Sequence, residues 1–341
     1  MAGQRREAST DEIREELPPA QPTADRGPGK PTELGRRSWW QVLRRVLREY
    51  QRDNLSDWAA ALTYYAMLSL FPALLVLVAG LRLFGTSAVN TVVNSLTQVA
   101  PESVKTILNG AVHQLLTSPN STAGILAIVS VLAALWSASG YVAAFMRAAN
   151  AIYDVPEGRP IWKKLPVRLG VTIVTGVLLS ISAFAVLLTG RVAEQVGKLL
   201  GFGGVAVRVW NIAKWPVLAL IVSLVLAILY WAAPNARQGG FRWVSPGGLT
   251  AVVIWVVASA GFGFYVANFG FYNKTYGTLA TVIIFLVWLY LTNTAVLLGA
   301  ELNAELERGR AMAAGHPADA EPYMQLRDDR KVDADQAQGL E

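Results

Sequence analysis

The sequence predicts an all-α polytopic membrane bundle of six transmembrane helices, with an N-terminal amphipathic interfacial helix and disordered termini. Three observations carry this. Hydrophobic residues make up 53% of the 341 and charged residues 16%, against roughly 25% charged in a soluble domain. Six stretches, at 59–81, 124–146, 169–190, 215–234, 249–269 and 279–300, contain no Asp, Glu, Lys or Arg, and about 20 such residues cross roughly 30 Å of hydrocarbon. The segments between them are alternately rich and poor in Lys and Arg, as topology selection by positive charge requires. So few charges outside the tails cannot cover a water-soluble globule, which excludes an ordinary cytosolic enzyme.

The elements follow in chain order. Residues 1–37 hold Pro18, Pro19, Pro22, Pro28 and Pro31 among mixed charges, a composition that cannot pack a core, and are expected to be a cytoplasmic tail. The membrane domain spans 38–310. It opens at 38–52, where Trp39, Val42, Leu43, Val46, Leu47 and Tyr50 recur at helical spacing, with Arg44, Arg45, Arg48 and Arg52 largely on other faces. This is the pattern of a helix lying on the cytoplasmic leaflet; a helix capping the bundle by protein contact would show the same pattern. Residues 85–123 form the longest outer loop, with helical spacing of Val104, Ile107, Leu108, Val112, Leu115 and Leu116 after Pro101. His113 within it has no second ligand at metal-binding spacing and is a surface or packing residue. From 311 to 341 the chain is again polar and is expected to be a second cytoplasmic tail.

Orientation follows from the basic residues. Arg36, Arg37, Arg44, Arg45, Arg48, Arg52, Arg147, Arg159, Lys163, Lys164, Arg168, Arg237, Arg242, Arg308 and Arg310 fall on one side. The other side holds Lys105, Arg191, Lys198, Arg208, Lys214 and Lys274. Both termini are therefore expected in the cytoplasm, with the excess charge facing anionic headgroups. The net charge of +6 then needs no nucleic acid to explain it, and none is expected as a partner.

Ionisable and amide groups at the rim of a membrane are costly to place and point to function. Asp57 before span one, Arg147 after span two and Glu301 after span six share a depth, accompanied by Asn54, Asn150 and Asn303. Span one adds Tyr64, Tyr65 and Pro72, which lacks a backbone donor and is expected to kink the helix. Span six adds Asn293 and Thr294 on the face of Glu301. Together these residues are candidates for a polar cavity ending in a cytoplasmic charge cluster; an arginine stapled to carboxylates for stability is the competing reading. Ala133, Ser137, Gly140 and Ala144 on span two, and Gly261 with Gly263 on span five, are small enough to admit a neighbouring helix. Such a stripe also permits a homo-oligomer.

Catalytic patterns are lacking in the sequence. There is no cysteine and there are two histidines, His113 and His316. There is no phosphate-binding loop, no H-E-x-x-H and no nucleophile elbow. No cofactor, metal or enzymatic activity is expected.

Three segments in order carry a family resemblance. Residues 54–72, reading Asn-Leu-Ser-Asp-Trp-Ala-Ala-Ala-Leu-Thr-Tyr-Tyr-Ala-Met-Leu-Ser-Leu-Phe-Pro, come first. Residues 150–157 read Asn-Ala-Ile-Tyr-Asp-Val-Pro-Glu and are followed by Trp162-Lys-Lys. Tyr276-Gly-Thr-Leu, Trp288-Leu-Tyr and residues 298–306, Leu-Gly-Ala-Glu-Leu-Asn-Ala-Glu-Leu, close the set. The chain resembles the YihY/BrkB family of membrane proteins over about 40–310. The resemblance implies a bacterial inner-membrane protein with six spans, linked to virulence. Some members of that family bear a ribonuclease label, which nothing in this sequence supports.

The function expected from these readings is transport or flipping of a lipid-like or amphipathic solute, with membrane lipids as partners. An envelope scaffold that binds partners through its interfacial helix and tails is the alternative.

Overall fold

The computed structural model describes residues 28–34, 36–81, 120–187, 204–268, 278–317 and 323–332. The predicted helix after Pro101, and His113 with it, lie outside the described residues. After a 3-10 turn at Pro31–Glu33 come seven long helices: α1 (Arg36–Arg52), α2 (Leu55–Leu81), α3 (Asn120–Ile152), α4 (Ile161–Leu187), α5 (Gly204–Ala232), α6 (Phe241–Asn268) and α7 (Thr278–Ala313). Among the described residues the one strand-like feature is a single antiparallel bridge, Ala236 to Leu326.

Local chemistry sets several helix ends. Between α1 and α2 the chain turns at Asn54, whose φ of 51° is a left-handed value that asparagine tolerates. Its carbonyl then accepts the Asp57 N–H at 2.9 Å, which starts α2. At the end of α3, Asp154 is left-handed at φ 50°. The Val155 N–H reaches the Asn150 carbonyl and the Asp154 N–H reaches that of Ala151, both at 3.0 Å; this pair of bonds satisfies carbonyls the helix leaves open. Gly315, at φ 97°, ends α7 in the same way, with the His316 N–H on the Ala311 carbonyl.

Among the described residues five helical segments are long and apolar enough to cross a membrane: Val131–Ile152, Ile161–Val186, Gly204–Ala232, Pro246–Asn268 and Val282–Ala313. The predicted first span lies in α2, a helix of 27 residues that continues past Pro72, though the side chains of 71–81 lie outside the described ones. Large apolar side chains stand open on the helices, including Ile212 at 76%, Phe264 at 72% and Leu220 at 69% exposure. Water would penalise such surface heavily, whereas lipid does not.

The six helices α2 to α7 pack as a ring in chain order, each against the next, with α7 closing on α2. Ring packing is tightest at one end, the base, where α2 starts and α3, α5 and α7 finish. There Leu55, Leu62, Phe145, Met146, Tyr230 and Leu297 are almost fully buried. Phe145 stacks on Tyr230 with ring centroids 6.1 Å apart, and the Tyr230 hydroxyl donates to the Val296 carbonyl at 2.7 Å.

Small residues decide two of the contacts. The stripe predicted on span two serves α2: a β-carbon on Gly140 would lie 3.1 Å from Tyr65 Cδ1, and the Ser137 hydroxyl donates to the Leu68 carbonyl. The span-five prediction needs correction. Gly261 and Gly263 are exposed and a β-carbon on either would meet nothing within 4 Å. The α6–α7 crossing instead uses Gly247 and Gly299, where added β-carbons would lie 2.1 Å and 2.5 Å from the opposing carbonyl oxygen.

At the base, α1 lies against α7. Val42 and Val46 are buried on Leu302 and Leu306, and Arg45 ion-pairs with Glu305. This is the protein contact that one sequence reading allowed; the other edge of the helix leaves Trp40, Leu43 and Leu47 exposed. Residues 323–332, expected within a polar tail, also pack here. Tyr323 and Met324 are buried in the core, and the Arg327 N–H donates to the Asn235 carbonyl at 2.8 Å. Composition could not show this, because the hydrogen bonds run to a loop about 90 residues earlier in the chain.

Candidate functional site

The predicted polar residues separate into two buried groups and a set of exposed side chains. The first group lies within the ring. Asn293 on α7, 3% exposed, donates to the Thr63 hydroxyl on α2 at 3.1 Å and accepts from the Tyr141 hydroxyl on α3 at 2.9 Å. One amide thus joins three helices, each of its two polar atoms meeting a hydroxyl. Among the described residues Thr294 bonds within its own helix, to the Tyr290 carbonyl, and Tyr64 is exposed with its ring edge-on to Tyr65.

The second group is at the base. A cavity of about 610 Å³ opens there between the α1–α2 turn and the end of α3. Arg52, Asp53, Asn54, Asn150 and Asp154 supply its polar wall; Trp58, Ala151, Val155 and Pro156 supply its apolar one. The left-handed turn at Asn54 sets Asp53 on this wall. Behind it lies Glu301 of α7, which is 1% exposed and near enough to Asp53 for the two carboxyls to affect each other's proton affinity. Burial, then the charges of Asp154 and Glu49, push the Asp53 carboxyl up to about 7, against the opposing pull of Glu301 and Arg52.

Asn150 is a joint rather than a free wall residue. Its oxygen accepts the Asn235 N–H at 2.8 Å, and its amide donates to Glu157 at 3.2 Å. Glu157 is gripped by Arg159, Nε at 2.7 Å and Nη2 at 2.8 Å, while Nη2 also donates to the Ala233 carbonyl at the end of α5. Burial raises the Glu157 carboxyl, but the hydrogen bonds and charge of Arg159, with Lys164, outweigh it and hold Glu157 below the usual range. Asn235 in turn donates to the Pro156 and Asp328 carbonyls, and Lys163 pairs with the Asp328 carboxylate. These bonds lock the wall that Val155 and Pro156 present to the cavity.

The predicted Asp57–Arg147–Glu301 cluster does not assemble. Asp57 and Arg147 are exposed, Glu301 is buried, and among the described residues no ion pair links them. Glu301 meets Asp53 instead. Asn303, wholly buried, accepts the Gly247 N–H at 2.9 Å and belongs to the α6–α7 crossing. Sequence reasoning passed over Asp53, Arg52, Trp58 and Asp154. The available signal was a carboxylate immediately before a residue able to turn left-handed.

Comparison with known proteins follows this geometry. A family sequence model described as Virulence factor BrkB matches residues 46–323. A ribonuclease-like protein, YfkH, of Bacillus subtilis is 30% identical over 279 residues, covering 81% of this chain and 98% of that one. A UPF0761 membrane protein of Alkalilimnicola ehrlichii is 32% identical over 286 residues, 81% of this chain and 61% of that one. UPF0761 membrane protein RSc1559 of Ralstonia nicotianae is 30% identical over 278 residues, 78% and 58% respectively. The chain therefore spans about three-fifths of the UPF0761 proteins it matches, and nearly all of YfkH. No solved structure matches.

Proposed function

Because this chain belongs to the Virulence factor BrkB family of membrane proteins, we propose that it moves a lipid-like or amphipathic solute across a bacterial inner membrane. In this reading α2, the first span, crosses together with the five others, both termini are cytoplasmic, and the base is the cytoplasmic end. The observation that carries the proposal is the mixed lining of the 610 Å³ cavity, with Arg52, Asp53 and Asp154 facing the same space as Trp58, Val155 and Pro156. A ligand site that is part apolar and part charged suits a molecule with an apolar body and a polar head. The exposed edge of α1, Trp40, Leu43 and Leu47 beside Arg44 and Arg48, supports an interfacial helix against anionic headgroups. The ribonuclease-like name stays with YfkH; this chain acts without bond cleavage.

Native mass spectrometry of protein extracted mildly from its own membrane tests this. The expected result is a retained amphipathic molecule that is lost from a folded Trp58→Ala, Arg52→Ala variant. Protein that emerges bare, or bound to another protein, would move the assignment to a scaffold. RNA hydrolysis by the purified protein, abolished by Asp53→Asn, would overturn the non-enzymatic reading.

A further inference from the structure

We propose that the outward face of α3, with Arg168 of α4 beside it, binds an anionic phospholipid, the phosphate on Arg147 and Arg168 and the acyl chains along Trp136, Leu132 and Val129.

The face follows from helical spacing. Residues 129, 136, 140 and 147 recur at steps of seven, four and seven, which brings them to one side of α3. At its edges this side meets the neighbouring helices, Gly140 against Tyr65 of α2 and Ser139 against Arg168 of α4. Tyr141 and Phe145 turn the other way, to Asn293 and Tyr230 inside the bundle. Trp136 and Arg147 therefore look out between α2 and α4. Trp136 is 70% exposed there, and Leu132 and Val129 are exposed beyond it.

Arg168 is built into this face. Its Nε donates to the Ser139 carbonyl at 2.8 Å and its Nη2 to the Ser139 hydroxyl at 2.6 Å, with the guanidinium carbon 5.6 Å from the centre of the Trp136 ring. Ser139 is 1% exposed, and its hydroxyl donates to the Trp136 carbonyl, so the cation rests on a fixed partner. Ser139 accepts two of the five guanidinium N–H groups. The rest meet no acceptor among the described residues.

Charge then selects the ligand. Arg147 borders the uncharged stretch 124–146 and Arg168 the stretch 169–190, which sets both at headgroup depth. Among the described residues neither pairs with a carboxylate, Asp57 included. The neighbouring lysines are taken, Lys163 by Asp328 and Lys164 by Glu157. Two cations beside exposed hydrocarbon call for an anion, and guanidinium suits phosphate, whose oxygens it binds in pairs. A soluble phosphate would use the arginines alone. The apolar stripe running from them into the bilayer gives acyl chains a bed, which favours the lipid. Its leaflet is the one at the base, cytoplasmic in the function proposed above; the binding itself does not depend on transport.

Native mass spectrometry of the full chain in detergent, titrated with phosphatidylglycerol or with phosphatidylcholine of the same acyl chains, reads the affinity of the first lipid bound. Phosphatidylglycerol should bind more tightly. Arg147→Ala and Arg168→Gln should each weaken it about fivefold, the worth of one basic residue at an anionic surface, and leave phosphatidylcholine unchanged. Arg208→Ala, an exposed cation at the other end of the bundle, should alter neither. Melting curves check folding; should Arg168→Gln fail to fold, Arg147→Ala decides. Equal affinity for the two lipids, or phosphatidylglycerol binding unchanged in Arg147→Ala, would overturn the proposal. So would a tight lipid kept by Arg147→Ala and lost from an Arg44→Ala, Arg48→Ala variant, which would place it on α1. Release of the lipid by inorganic phosphate, but not by chloride of the same ionic strength, would assign the arginines to a soluble anion instead.

Discussion

Gly247 and Gly299 each sit against the other's carbonyl oxygen, too close for a β-carbon on either, so α6 and α7 touch backbone to backbone. Such closeness supplies the van der Waals contact and weak polar attraction that hold helices together in lipid, where apolar surface gains little from burial.

Gly299→Ala should therefore separate the two helices. An added methyl would meet the Gly247 carbonyl at 2.5 Å, the Tyr230 hydroxyl at 2.5 Å and Ala251 Cβ at 2.8 Å. Overpacking of this kind costs about 1–3 kcal/mol. Thermal melting in nanodiscs should show the loss, while Gly261→Ala, which meets nothing, should be neutral or slightly stabilising. Equal melting of the two variants would refute the crossing.

Arg159→Ala removes both bonds to Glu157 and those to the Ala232 and Ala233 carbonyls. Breaking a buried ion pair from one side costs roughly 3 kcal/mol. Arg159→Lys should recover little of it, since an ammonium cannot form the fork. Arg147→Ala, at an exposed position, should change stability by no more than about 0.5 kcal/mol. Comparable losses at both positions would show that Arg147 is a staple despite its exposure.

Asn293→Leu leaves the Thr63 and Tyr141 hydroxyls without the amide they share. Polar contacts between helices in membranes average under about 1 kcal/mol, but here one change breaks two. A drop of about 1 kcal/mol in unfolding stability is expected. A double variant with Thr63→Val should lose less than the sum of the single losses, as coupled residues do.

The Asp53 carboxyl gives a pH dependence with a fixed sign. Its folded value lies above the ordinary carboxylate value, so the folded protein holds the proton more tightly than the unfolded chain. Stability from this group is complete below the ordinary value of 3.8 and is lost as pH rises through about 7. Melting temperature should fall across that window, and Asp53→Asn should flatten the fall. A melting temperature that climbs across it in the wild type, with Asp53→Asn unchanged, would contradict the assignment.

These cases show which features were legible in the sequence. Uncharged stretches revealed the membrane helices, and the spacing of Val42 and Val46 revealed α1, because both follow from local patterns of hydrophobicity. Depth at the rim was also legible, since Asn54, Asn150 and Glu301 all come to the base. Rotation was not. Arg147 and Glu301 share a depth, but the end of α3 carries Arg147 outward, and the turn at Asn54 brings Asp53 to Glu301 in its place. Glycines posed the same difficulty: Gly261 and Gly247 are alike in composition, and only the crossing of α6 with α7 distinguishes them. The bonds of Asn235 to residues 327 and 328 span too much chain for any periodicity to reveal.

The packing of residues 323–332 also bears on the order in which the molecule is made. Domains generally form from the N-terminal side as synthesis proceeds, and this segment leaves the ribosome after α7. Yet it supplies the partners of Asn235 and Lys163 and buries Tyr323 and Met324 at the base. The loops after α3 and α5 can bond to each other earlier, but their fastening is complete only once this segment has followed α7, and a chain stalled before that point leaves Asn235 and Lys163 without their partners at Asp328.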